Sequence, residues 1–434
     1  MTQPMRTLLL AAFVFAAAAG AISHSRPAQA AQCAKPVDEA TKFGTLLDPV
    51  LTIGASTPLL LRLPRPSSLA MRYAMLRLKV AGERQGDWLL TIRDTDFKVL
   101  AVLGPDDFHK ASGGQPSGDL WTGRLEASDV DLDLSIVDPQ NSDLTITIDE
   151  ALIMPAAIDK DKARYSWRGL TPTYGSLYSG QPTNALGDET KRKVRRLGDQ
   201  VGFLVGMMRP NLDTTMSWCC SGIMLTDDLF LTNWHCGGWT EGLVEGSVWS
   251  KNVCNTTFLD LSWDEDRAGR EYLCKEVIKT RLQKELDYTL IRIAPLGGEK
   301  ARRIGRRVRI AQGALIGGSE LRVIHHAECK KKQVSIDCHV KEAERAGRRP
   351  IDGVAVQTDF AHDCDTESGS SGAPVFNIEG ALVGLHRAGH EMTTPNQCDE
   401  RNKAVHIRHI LEDIKASRPD VYEQIRVRVD GLAN

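Results

Sequence analysis

The chain has no apolar run long enough to cross a bilayer. Its most apolar stretch, Leu8 to Ala19, holds about a dozen residues, whereas a spanning helix needs ~20. There is no surplus of charge of either sign. The 54 Lys and Arg face 56 Asp and Glu, for a net charge of −2, and that balance leaves neither a nucleic-acid footprint nor a basic patch for an anionic membrane surface. Cysteine and histidine at zinc-type spacing are also missing, so neither a metal nor another cofactor is expected. Proteins or peptides remain as the partners.

Several features point to export. Arg6, the apolar stretch that follows it and the small-residue site Ala28-Gln29-Ala30 read as a secretory signal over residues 1–30, with the mature chain starting near Ala31. Cys33 does not make a lipoprotein site, because Gln32 stands where Gly or Ala is wanted. Secretion leads to a periplasmic or extracellular protein. All ten cysteines follow the signal, and an even number in an oxidising compartment predicts disulfides.

A mature chain of about 400 residues, 42% hydrophobic, has room for two domains. Between Lys42 and Ala157 the apolar residues alternate in Ala74 to Val80, Asp131 to Val137 and Leu144 to Ile148, with Gly, Pro and Asp turns between them. This predicts a β-sandwich over residues 31–157, an accessory or pro-domain. It holds no catalytic cluster, and its one histidine, His109, reads as a surface residue. Residues 158–198 read as a linker that ends in the basic run Lys191 to Arg196, either a processing site or a solvated charged stretch. From residue 199 to 434, short apolar runs recur at Val201 to Val205, Ile223 to Thr232, Tyr288 to Ile293 and Ala381 to Leu385, as in a pair of β-barrels. Val405, Ile407, Ile410, Leu411 and Ile414 then follow a helical period.

The chemistry centres on Gly369-Ser370-Ser371-Gly372-Ala373-Pro374, where glycines flank a serine that could act as a nucleophile. A neutral serine hydroxyl is a weak nucleophile and needs a base. Leu231 to Cys236 puts His235 at the end of an apolar run, and Asp287 precedes another, Tyr288 to Ile293. Asp287 could bond the other ring nitrogen and fix its tautomer. The amides of Gly369 and Ser371 could face a developing oxyanion, with no β-carbon at Gly369 to obstruct the turn. The remaining histidines, including His325, His326, His339, His362, His390, His406 and His409, lack such framing and read as surface or structural.

The order His, Asp, Ser and these local frames resemble the chymotrypsin and trypsin superfamily of serine proteases, over residues 199 to 415. The resemblance implies an all-β, chymotrypsin-like double β-barrel with a C-terminal helix, and a serine endopeptidase with His235, Asp287 and Ser371 as its triad. Cys220 and Cys236 match the family's disulfide beside the histidine. Ser370 stands where trypsin-like zymogens carry the aspartate that pairs with a new amino terminus, so that activation switch is absent. Asn233-Trp234 replaces the small residues usual before the histidine, with bulk that could reshape the cleft. The run Asp365 to Asn377 and Gly384-Leu385-His386 resemble bacterial trypsin-like peptidases of the glutamyl endopeptidase branch.

That resemblance bears on specificity in two opposing ways. Asp365 occupies the place of the aspartate that selects Lys or Arg in trypsin, whereas Thr366 and His386 match the pocket residues of glutamyl endopeptidases. A hydroxyl and an imidazole can donate to a substrate carboxylate, and two positions against one tilt the balance towards Glu or Asp. The other disulfides are expected from strand geometry and proximity. Neighbours Cys219 and Cys220 point to opposite faces, which leaves Cys219 for Cys33. Cys254 then pairs with Cys274, Cys329 with Cys338, and Cys364 with Cys398. The competing functional reading is a protease homologue without catalysis that acts as a secreted binding module, a class in which a triad member is usually replaced. None is replaced here.

Overall fold

The computed structural model of the protein describes residues 44–54, 59–62, 71–81, 87–111, 119–122, 125, 127, 129–136, 144–155, 174–176, 188–211, 214–238, 248–249, 253–254, 257–263, 271–282, 286–295, 308–347, 357–389, 391–394, 397–399 and 401–430. The expected signal over residues 1–30 and Cys33 lie outside them, as does the side chain of Cys398.

The N-terminal part is a sandwich of two four-stranded antiparallel sheets. Strands β1 (Gly44–Gly54), β8 (Thr145–Pro155), β3 (Met71–Ala81) and β6 (Asp119–Trp121) form one. Strands β2 (Leu59–Arg62), β7 (Asp129–Ile136), β4 (Trp88–Asp94) and β5 (Val99–Leu103) form the other. A short helix α1 (Pro105–Ala111) adds Phe108 to their shared core. The two-residue period explains the pairing of faces: Ala74, Leu76, Leu78 and Val80 of β3 meet Val130, Leu132 and Leu134 of β7 in that core. Met75, on the opposite face of β3, is fully buried with Phe203, Val205, Phe258 and Trp263, residues of the following domain. One methionine thus helps to dock the sandwich onto its neighbour.

Residues 158–198 include more order than a linker. Strand β9 (Tyr174–Ser176) pairs with a strand of the second barrel. Helix α2 (Asp188–Gly198) contains the basic run. Its acidic start and its Arg195 and Arg196 end both suit the helix dipole, Val194 and Leu197 pack in the core of the double barrel, and Lys193 Nζ donates to the Ile378 carbonyl at 2.9 Å.

The first barrel is closed, in the order β10 (Val201–Asn211), β11 (Thr214–Met224), β12 (Leu229–Thr232), β15 (Tyr288–Pro295), β14 (Glu271–Arg281) and β13 (Phe258–Asp260). After the two-residue β16 (Val308–Arg309), a second barrel runs β17 (Glu320–His325), β20 (Pro374–Asn377), β21 (Leu382–Ala388), β24 (Asn402–His406), β19 (Asp359–His362) and β18 (Gln333–Arg345). The β17–β18 pairing closes it, and β9 lies outside β18. A hairpin of β22 (Glu391–Thr394) and β23 (Gln397–Asp399) precedes β24. The chain therefore has the double β-barrel, chymotrypsin-like fold.

The expected terminal helix is two helices. Val405 belongs to β24. Ile407, Ile410, Leu411 and Ile414 line the buried face of α3 (Ile407–Ser417), and Pro419 opens α4 (Pro419–Arg426), where a proline suits the first helical position. Asp413 accepts bonds from Arg281 Nε at 2.8 Å and Tyr288 Oη at 2.5 Å, which tie α3 to the first barrel. A short β25 (Val429–Asp430) then pairs with β16.

Four disulfides join the described residues. Cys220–Cys236 and Cys254–Cys274 are as expected. The other two correct the sequence pairing: Cys219 bonds Cys329 rather than Cys33, and Cys338 bonds Cys364, so Cys329–Cys338 and Cys364–Cys398 do not form. Adjacent Cys219 and Cys220 do take different partners. Proximity along the chain is a poor guide to these two bridges. In space, β18 pairs with β19 so that Val340 lies opposite His362, which brings Cys338 up to Cys364. Cys329 sits instead in a 3-10 turn against the first barrel, and its bridge to Cys219 crosses between the barrels.

Candidate active site

Strand register brings the first two residues together. Thr232 ends β12 opposite Thr289 of β15, so His235, just past one strand, and Asp287, just before the other, fall at the same end of the barrel. His235 Nδ1 lies 2.9 Å from Asp287 Oδ2 and 3.1 Å from Oδ1. The His235 backbone N–H also donates to Oδ1, at 3.2 Å. Asp287 is buried, and its backbone has φ of 45°, a left-handed conformation unusual outside glycine. Asn233 holds it there, with Nδ2 donating to the Asp287 carbonyl at 2.7 Å. Asn233 and Trp234 are both buried, and the Trp234 carbonyl accepts from Trp249 Nε1 at 2.7 Å. Trp234 packs in the core of the first barrel with Cys220, Cys236 and Trp249.

Ser371 lies on the turn before β20, beside this pair. Its carbonyl accepts the Ser221 N–H at 2.8 Å and stands 3.7 Å from Cys236 Sγ. No hydrogen bond joins His235 to Ser371, a looseness common before substrate draws base and nucleophile together. The amides are aimed by their carbonyls, because C=O and N–H point to opposite sides of a trans peptide. The Ser368 carbonyl is held by Glu328 N–H at 2.6 Å and the Ser370 carbonyl by Ala373 N–H at 3.0 Å. The Gly369 and Ser371 N–H groups therefore face the other way, and among the described residues neither donates to a protein acceptor. Gly369 has φ of 93°, and a β-carbon there would come within 2.5 Å of the His326 carbonyl. A second chain fixes the same turn: His326 N–H donates to Ser221 Oγ at 2.9 Å, and Ser221 Oγ donates to the Gly369 carbonyl at 2.8 Å.

Of the specificity candidates, Asp365 and Thr366 are half-buried and His386 is buried. The Asp365 carbonyl accepts from Ser335 Oγ at 2.5 Å. His386 Nδ1 lies 3.2 Å from His362 Nε2, and His362 Nδ1 accepts the Cys364 N–H at 3.3 Å. Burial pushes the His362 pKa down to about 4, and burial followed by the neighbouring His362, His325 and His235 drives that of His386 well below 6.5. Both rings are neutral at pH 7. With Nδ1 of His362 an acceptor, its proton resides on Nε2 and is donated to His386 Nδ1, which leaves the His386 proton on Nε2.

His362 and Ser221 are parts of this candidate site without a motif in the sequence, and Asn233, inside the histidine frame, has a role there that the frame does not show. In the sequence His362 reads as a surface or structural histidine, and only the β19–β24–β21 register brings it to His386. Cys220 and Cys236 lie close to His235, but their sulfurs are joined to each other and offer no thiolate for a metal.

Comparison with curated proteins returns no match. Among solved structures, the Rv3671c protease of M. tuberculosis in its active form is 13% identical, with a TM-score of 0.37, covering 59% of this chain and 93% of its own. An inactive form of the Rv3671c protease is 15% identical, with a TM-score of 0.36 and coverages of 52% and 92%. Residues 220–385 match the family described as trypsin-like peptidase domain, which supports a protease of the trypsin-like superfamily.

Proposed function

We propose that the chain is an exported serine endopeptidase with His235, Asp287 and Ser371 as its triad. The observation that carries this reading is the His235–Asp287 contact at 2.9 Å beside the Ser371 turn. In the proposed cycle Ser371 Oγ attacks the scissile carbonyl carbon while its proton passes to His235 Nε2. Asp287 keeps the Nδ1–H in place and stabilises the imidazolium. The Gly369 and Ser371 N–H groups receive the oxyanion, each such donor contributing ~3 kcal/mol in the transition state. Collapse expels the amine with the proton from His235, and water repeats the sequence to release the acid. The four disulfides suit an oxidising destination, in keeping with a signal over residues 1–30.

The finer reading is cleavage after Glu or Asp. The bonding order from Cys364 through His362 leaves His386 with an Nε2–H to offer, and a neutral donor of this kind suits a substrate carboxylate. Thr366 would supply a hydroxyl alongside. Asp365 would oppose it if its carboxylate entered the pocket. Ser371→Ala and His235→Ala should each abolish hydrolysis of a mixed peptide library while the fold persists. His386→Ala should reduce cleavage after Glu far more than after neutral residues. Activity that survives Ser371→Ala overturns the triad, and cleavage confined to Lys and Arg transfers specificity to Asp365.

A further inference from the structure

We propose that His325 is a positioning residue for the proposed active site. Its imidazole bridges Ser370 and Ser335 and holds the 365–371 turn in the register that presents the Gly369 and Ser371 amides. This inference rests on the serine-protease reading and deepens it.

The argument is an account of protons. Ser370 and His325 are both fully buried, and buried polar groups need partners. Ser335 Oγ lies 2.5 Å from the Asp365 carbonyl, which can only accept, so the single Ser335 proton goes there. His325 Nε2, 3.3 Å from Ser335 Oγ, must then donate. A neutral ring has one N–H, so His325 Nδ1 carries a lone pair and accepts the Ser370 hydroxyl at 2.7 Å. Ser370 Oγ in turn accepts the Glu367 N–H at 3.0 Å. Burial, followed by the charge of His362, holds the His325 pKa down to about 3, which keeps the ring neutral.

The result is a chain in one direction: Glu367 N–H to Ser370, Ser370 to His325, His325 to Ser335, and Ser335 to the Asp365 carbonyl. It starts and ends on the turn that carries the proposed nucleophile, and it passes through two paired strands of the second barrel, β17 and β18. The residues after His325 grip the same turn again, through Glu328 N–H on the Ser368 carbonyl and His326 N–H on Ser221. Ser370 stands where trypsin-like zymogens carry the aspartate that a newly made amino terminus restrains after activation. Here a histidine already inside the barrel restrains it, so the turn needs no newly cut end.

His325→Phe keeps the ring and removes both nitrogens. Its kcat should fall by roughly 10²–10³-fold, the scale of one lost oxyanion donor, with KM changed by less than about threefold. His325→Gln restores an acceptor and a donor at similar spacing and should recover about tenfold or more of that loss. Ser370→Ala, which removes one oxygen, should lower kcat in the same manner and serves if His325→Phe does not fold. Labelling of Ser371 by a fluorophosphonate should slow in parallel. In ¹⁵N spectra the His325 ring should show the proton on Nε2. Wild-type kcat or labelling in folded His325→Phe or Ser370→Ala overturns the inference, and so does a proton on Nδ1. A wild-type protein that fluorophosphonate does not label at Ser371 overturns the serine-protease reading instead.

Discussion

Acid should unfold this protein in a window set by buried histidines. His325, His326, His362 and His386 are all buried around the 365–371 turn. Burial holds His362 to about 4. Burial and the His362 charge hold His325 to about 3. Burial, then Lys332, drives His326 well below 6.5, and His386 shifts in the same direction. In the unfolded chain each takes a proton near pH 6.5. Because the folded pKa values are depressed, the unfolded state binds more protons below pH 6.5. Stability is therefore complete above that pH and declines as pH falls towards 4. Each histidine contributes up to about 1.4 kcal/mol per pH unit, so four give a slope near 5 kcal/mol per unit. A domain typically has only about 5–15 kcal/mol in total, and most of it should be lost between about pH 5.5 and 4. Asp149 and Asp363 act lower: burial works to raise both, but Arg77 and Lys79 for the first and Lys341 for the second win and hold them below 3.8, whereas burial raises Asp359 above its usual value and works the other way. Urea unfolding followed by near-ultraviolet circular dichroism at stepped pH measures the slope. His362→Asn should make it shallower by about one histidine's share. A urea midpoint that stays constant from pH 7 to 4.5 refutes the reasoning.

Other expectations follow from single contacts. Asp287→Asn should lower kcat by roughly 10⁴-fold through the wrong His235 tautomer, with little loss of stability; near-normal kcat would remove Asp287 from the triad. Gly369→Ala, with its β-carbon 2.5 Å from the His326 carbonyl, should cost about 10²-fold or more in kcat, as steady-state kinetics would report. Met75→Ala empties a site shared with Phe203 and Trp263 and should destabilise by about 2–5 kcal/mol in thermal unfolding; an unchanged midpoint would mean that the sandwich docks by other contacts. With eight cysteines bonded among themselves, Cys33 and Cys398 should form a fifth bridge, which peptide mapping without reductant detects as one joined peptide pair.

The parts of the candidate site legible in the sequence are those written locally. His235, Asp287 and Ser371 each stand at the edge of an apolar run or between glycines, and a strand ending in a buried run fixes where the next residue lies. The alternation of Asp131 to Val137 gave up its strand for the same reason, since the two-residue period belongs to one segment. Helix α2 was hidden by its own charge: seven of its eleven residues are acidic or basic, and the two that anchor it, Val194 and Leu197, are too few to mark a helical stripe. Relations across strands were out of reach. Chain distance made Cys329 and Cys338 look like neighbours, yet the barrel turns Cys338 towards Cys364 and sends Cys329 to the other barrel. The same limit applies to the histidines. His325 and His362 carry no frame of their own, and what distinguishes them from surface residues is the register that brings one to Ser370 and the other to His386. A serine motif can thus be recognised from a few consecutive residues, but the groups that hold its geometry are contributed by strands whose order only the closed barrel determines.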